Sequence, residues 1–256
     1  MRVFLLSLAL FSVSSTWAGS TEVCADIPHT DDSTEEQSHL VDLYRKVSPF
    51  LGVYPSFAEV LEFQSPQLCT STQMDNALAY FDADKNRIVI DESLSPAMQV
   101  GVLLHELRHF WQYTRASCPS DTLAMKEFAR TTFALEADAS AISLLFAWDM
   151  KEAGDDSVWN ALSSWSSQMD IAASFAKTMH TTGDAGLAAT SAFYQWYDSP
   201  ERVERYYLSA CSDYLDRQDA GKLIPRYQMI DDGFFVNLCK LPDGGTYACS
   251  DPRGAK

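Results

Sequence analysis

Five consecutive residues, His105-Glu106-Leu107-Arg108-His109, carry the clearest chemistry in this 256-residue chain. Four residues along an α-helix turn through ~400°, so the two histidines stand ~40° apart on one face. Two imidazoles so placed can reach one metal ion. Glu106 adjoins the first histidine at the rim of that face, where it can take a proton from a water held by the metal. Zinc suits this arrangement, because it lowers the pKa of its water to about 7 and so provides a nucleophile at neutral pH. The chemistry implied is metal-assisted hydrolysis. Arg108 is a departure, charged at a spacer position that is usually uncharged in such enzymes, and it does no harm if its side chain reaches solvent or an acidic partner.

A catalytic zinc takes three protein ligands and keeps one position open. Gln112 and Arg115 stand where a glycine and a third histidine would follow in the metzincin pattern, which excludes that class. The remaining histidines are His29, His39 and His180, so a carboxylate is the better third ligand. Two glutamates on the next expected helix compete. Glu127 fits a simple antiparallel register about a turn near residues 116–120. Glu136 fits by its surroundings: Leu135-Glu136-Ala137-Asp138-Ala139 sets two carboxylates among apolar and small residues. A buried carboxylate needs a charged partner, which a metal would be, and alanines let helices approach closely. A group to hold the developing oxyanion would come from His180, Tyr194, Tyr197, Arg202, Tyr206 or Tyr207, each of which also reads as a packing or surface residue.

The elements that must position these residues are mostly helical. Ser95 caps a helix with Pro96 in its first turn, running to about Thr114. Pro119 and Asp121 start a second helix that stops at Gly154. A third fits Asp156 to Met179, and Ser199-Pro200-Glu201 opens another that ends near Gly221. Residues 39–63 have helical apolar spacing interrupted at Gly52 and Pro55. Ala77–Tyr80 and Arg87–Ile90 read as a β-hairpin about Asp82–Asn86. That turn begins like a calcium loop, but Arg87 and Ser93 occupy the positions that need glycine and glutamate, so an ordinary turn is expected. The tail from 222 reads as short strands and turns, with Phe234-Phe235-Val236 a buried strand. Trp148, Trp159, Trp165 and Trp196 are expected in the core. The fold class expected is α+β, mostly helical, with a small antiparallel sheet beside the helix that carries the two histidines.

Leu104 to Gln112, together with Glu136-Ala137-Asp138-Ala139, resembles an uncharacterised bacterial family of proposed metallopeptidases, and more broadly is similar to gluzincins. The resemblance covers roughly residues 77–145. It implies a zincin-like fold, zinc held by His105, His109 and Glu136, Glu106 as general base, and a peptide or protein substrate aligned by an edge strand. It also implies that Asp138 orients a ligand histidine through its N–H. Glu136 and Asp138 are ~200° apart on a helix and cannot both face one metal.

The first residues pair Arg2 with an apolar run and end on Thr16-Trp17-Ala18, the pattern of a signal peptide over residues 1–18. Residues 19–38 read as a flexible acidic leader, with Cys24 a candidate tether, and 39–256 as a single domain with a disulfide-stapled tail. A periplasmic or secreted destination follows, with no stable membrane insertion. All six cysteines lie beyond residue 18, and an even number in an oxidising compartment suggests three disulfides. Cys239–Cys249, flanking the turn Pro242-Asp243-Gly244-Gly245, is the one pair that proximity selects. The net charge of −16 argues against nucleic acid and anionic lipid as partners. No G-x-S-x-G elbow or phosphate loop is present. The reading is an exported zinc-dependent peptidase. Its rival is a non-catalytic exported binding or cell-envelope protein on the same scaffold, which peptide turnover would distinguish.

Overall fold

The structure is a computed structural model that describes residues 22–27, 34–74, 77–115, 117–224 and 226–252. The signal-type segment 1–18 lies outside the described residues. In chain order the elements are β1 (Val23–Asp26), α1 (Glu35–Gly52), α2 (Pro55–Gln64), β2 (Gln67–Ser71), β3 (Ala79–Asp82), β4 (Arg87–Asp91), α3 (Pro96–Thr114), α4 (Met125–Glu152), α5 (Ser157–Ser164), α6 (Met169–Thr182), α7 (Ala185–Tyr197), α8 (Pro200–Gly221) and α9 (Phe234–Leu238).

The helices begin where side chains can satisfy their first free N–H groups. Thr34, Ser95, Asp184 and Ser199 accept from the N–H three residues on, and Pro55, Pro96 and Pro200 occupy first turns. Two expected helices shift. The second starts at Met125 rather than near Asp121, because Leu123 and Ala124 instead pair with the main chain at Gln228. The third divides into α5 and α6, since the chain turns at Trp165, whose extended backbone ends α5.

The sheet has strand order β1-β2-β4-β3 and is mixed, not antiparallel as expected. The connectivity explains why. The chain leaves β2 and runs back along β3, one strand position away. The Asp82–Asn86 turn then feeds β4 into the slot between them, parallel to β2 and antiparallel to β3. In that turn Asp82 accepts from the Lys85 N–H and pairs with Arg87, and Asn86 takes a left-handed φ of 49°. It is an ordinary tight turn. Ile88, Val89 and Ile90 of central β4 are fully buried, whereas β3 is an edge strand.

Val23–Asp26, inside the segment expected to be a flexible leader, forms β1; its pairing with β2 and the Cys24–Cys69 disulfide hold it there. Cys239 and Cys249 form the tail disulfide, but Cys118 and Cys211 are free, so two disulfides stand where three were expected.

α3 lies between the sheet and α4, and α4 is the axis of the helical layer, packed by α3, α5, α7 and α8. Small residues make this possible: Ala134, Ala137, Ala139, Ala141 and Ala147 are all fully buried along α4. On α3, a Cβ at Gly101 would stand 2.8 Å from the Leu162 side chain, so glycine permits the contact with α5. Trp148, Trp159 and Trp196 are core residues as expected, but Trp165 is half-buried and lines a cleft. Phe234–Val236 forms a turn of α9, not a buried strand, and Val236 is 65% exposed.

Candidate metal centre

The α3 face opposite the sheet core presents His105 and His109 to α4. Their Nε2 atoms are 3.1 Å apart, and each lies 3.4 Å from a carboxylate oxygen of Glu136. Zinc bonds of ~2.0–2.1 Å place the corners of a tetrahedron ~3.3 Å apart, so the spacing and the two-nitrogen, one-oxygen donor set both fit that ion. All three residues are half-buried at the floor of a cleft of about 780 Å³. The structure therefore brings together His105, His109 and Glu136.

It keeps Glu127 apart. That carboxylate accepts two bonds from Arg130 Nη1, at 2.7 and 2.8 Å, and is bound up with the Asp251 pair of the same arginine. The simple register fails because the link from Arg115 to Ala124 is long and unequal. His109 stands five residues from the end of α3, but Glu136 is eleven residues into α4.

Three neighbours set the electrostatics. Burial would raise the Glu136 carboxyl, but the imidazoles of His109 and His105 outweigh it and hold the group well below the usual carboxylate range. Burial alone would lower His109, yet the Glu136 charge and hydrogen bond lift its pKa to about 9. Glu106 is buried one step along the face; burial pushes its carboxyl up, with the histidines pulling the other way and Glu136 adding to the rise. The backbone N–H of Phe81 on β3 hydrogen-bonds to Glu106, which ties the edge strand to that carboxylate.

Behind the metal-facing side, α3 carries a second, fully buried constellation. The Arg108 guanidinium makes two bonds to Asp138, from Nε to Oδ2 at 2.6 Å and from Nη2 to Oδ1 at 2.8 Å, and Nη2 also donates to the carbonyls of Leu238 and Lys240. The Tyr247 hydroxyl donates to Asp138 Oδ1 at 2.5 Å and Gln112 Nε2 to Oδ2 at 2.6 Å. Gln112 also donates to the Leu135 carbonyl, so its amide oxygen is the acceptor, 2.8 Å from His109 Nδ1. That bond places a proton on Nδ1 and turns Nε2 to the donor cluster. Asp138 was expected to orient a histidine directly. Gln112 stands between instead, because Asp138 faces away from Glu136 on α4 and its oxygens are filled by Arg108, Tyr247 and Gln112 itself. The unusual charge at the spacer position has its acidic partner here.

Among the candidate oxyanion groups, only Tyr206 of α8 reaches the cluster, with its hydroxyl donating to Glu136. The charge of Glu136, then burial, raises that phenol well above its ordinary value. His180 packs on Trp148, Tyr194 bonds Ser250, Arg202 pairs with Asp170, and Tyr207 is exposed beside Cys211. The i, i+4 spacing of Arg202 and Tyr206 was visible in the sequence, but nothing there placed α8 across the cleft from α4.

No curated protein and no solved structure matches this chain. Residues 17–249 match the model of a family described as "Putative metallopeptidase family", which implies a metal and a peptide substrate. With the match spanning nearly the whole sequence, the chain belongs to that metallopeptidase family.

Proposed function

We propose that this protein is an exported zinc metallopeptidase of gluzincin type, zincin-like in fold, in which His105, His109 and Glu136 hold the ion and Glu106 is the general base. The observation that carries the reading is the cluster of three donor atoms 3.1–3.4 Å apart at the floor of a cleft, with a buried carboxylate on the next residue. Zinc at such a site supplies an acidified water and polarises a carbonyl. The rest falls to the chain's own residues. Glu106, its pKa raised by burial, takes a proton at the cleft floor and returns it to the departing amine nitrogen. Tyr206 lies across from it and can turn its hydroxyl from Glu136 to a substrate oxygen.

The peptide is positioned by β3. Main-chain groups of Tyr80 and Asp82 pair with β4, so by strand alternation those of Ala79 and Phe81 face the open edge along the cleft. Phe81 gives its N–H to Glu106, which leaves the carbonyls of both residues and the N–H of Ala79 for an extended substrate. Two disulfides fit an oxidising periplasmic or extracellular location, and no helix among the described residues is long and apolar enough to cross a membrane.

The test is Glu106→Gln. The variant keeps about one zinc per chain by elemental analysis and loses peptide hydrolysis by a factor of at least ~100. Undiminished turnover would sink the mechanism.

A further inference from the structure

One face of α8 walls the cleft through Arg202, Arg205, Tyr206, Ser209, Asp213 and Arg217, residues recurring at three- and four-residue steps. Its three arginines differ in what they hold. Arg202 is buried, pairs with Asp170 at 2.6 Å and donates to the carbonyls of Trp196 and Ser167, so it ties α8 to the helices behind it. Arg217 pairs with Asp213 at 2.9 Å. Arg205 is exposed on the cleft wall and has no ion pair or hydrogen bond among the described residues. Glu201 stands one turn earlier, in reach for a helical pair, yet makes none with it.

Resting on the metallopeptidase reading, we propose that Arg205 selects a carboxylate on the peptide substrate, so that the cleft takes anionic peptides. Arg205 directly precedes Tyr206, whose hydroxyl touches Glu136. Arg205, His105, His109 and Glu136 line one cleft, so an extended peptide lying over the donor cluster also passes the guanidinium. Its planar fork of donors matches a carboxylate in two bonds, and Ser209, one turn on, adds a hydroxyl on the same wall. The chain carries a net charge of −16, so its overall field repels anionic ligands. An unpaired arginine inside the cleft reverses that preference locally. The carboxylate can belong to an aspartate or glutamate side chain or to the peptide's C-terminus, and both present the same fork.

The experiment uses the zinc-loaded mature chain and pooled octapeptides with acetylated N-termini. One pool fixes Glu at a central position and has an amidated C-terminus. The second has Gln there and the same amide, the third Gln and a free C-terminus. Cleavage by the active chain and retention on its Glu106→Gln variant are both read. The active chain favours the Glu pool over its Gln counterpart if the partner is a side chain, and the free-carboxylate pool if it is a terminus. In either case Arg205→Ala lowers that preference about 10- to 100-fold in kcat/KM and in retention, Arg205→Lys restores part of it, and zinc content stays at the wild-type value. Equal treatment of all three pools, or a preference that survives Arg205→Ala, overturns the proposal. Absence of cleavage with selective, Arg205-dependent retention would strike the peptidase reading and leave this one standing.

Discussion

Asp138→Asn is the substitution whose consequence the structure defines best. Both oxygens of Asp138 are saturated: Oδ2 takes Arg108 Nε and Gln112 Nε2, and Oδ1 takes Arg108 Nη2 and the Tyr247 hydroxyl. Four donors meet a group whose capacity is about four acceptor sites. Asparagine replaces one oxygen by an NH₂, which must then face two of those donors, and it leaves the guanidinium without a counter-charge. Arg108 and Asp138 are both 0% exposed, so water cannot relieve either fault. Breaking a buried pair on one side costs about 3–5 kcal/mol. For a chain of this size each kcal/mol lowers Tm by roughly 2–4 °C, which gives a fall of about 6–20 °C. The assay is thermal unfolding followed by circular dichroism in chelator, so that bound metal does not mask the change. Zinc affinity, measured separately by competition, falls about 10- to 100-fold as Gln112 loses its anchor and His109 its fixed ring orientation. Asp42→Asn, at an exposed pair with Arg45, serves as the control and changes stability by at most about 0.5 kcal/mol. A Tm for Asp138→Asn within ~2 °C of wild type would refute the claim that this network supports the site.

Two further outcomes test the centre itself. Glu136→Ala abolishes stoichiometric zinc, whereas Glu127→Ala keeps it and loses only stability, because Glu127 serves Arg130; elemental analysis with thermal unfolding separates the two. In the metal-free protein His109, with its pKa near 9 against an ordinary value near 6.5, holds a proton at neutral pH. Zinc must displace it, so binding at pH 7.5 releases about one proton per ion, and the apparent affinity falls about tenfold for each unit of pH lost below 9. The same raised pKa makes His109 stabilise the metal-free fold fully below its unfolded value. That contribution fades as pH rises through about 9, so alkaline conditions weaken the empty protein while they strengthen zinc binding. Proton release by calorimetry in two buffers of different ionisation enthalpy, and pH-resolved melting in chelator, measure each half.

What could be read from the sequence was whatever a single helix or hairpin decides by itself. The cap at Ser95, the unbroken run from Leu103 to Thr114 and the turn at Asp82–Asn86 are local, and they stand where spacing put them. The choice between Glu127 and Glu136 was not local. It depends on how far α4 slides along α3, and that is fixed by contacts over 23 to 30 residues, Gln112 to Leu135 and Arg108 to Asp138. The parallel β2–β4 pair likewise depends on which side of β4 the chain passes, a matter no alternation pattern records.

Arg108 shows how the two levels join. By its own position it looked like a flaw in a metal-binding motif. On a helix, though, it is ~100° round from His109 and Leu107, turned from the cleft toward α4 and the tail. There it collects Asp138, Leu238 and Lys240, and Asp138 in turn collects Tyr247 and Gln112. The ring that results runs from the tail closed by Cys239–Cys249, through Tyr247 and Asp138, to Gln112 and the Nδ1 of His109. A charge at the spacer position is therefore tolerated because one helix turn serves two faces. One face holds the donor atoms, and the other fixes the direction in which one of them points.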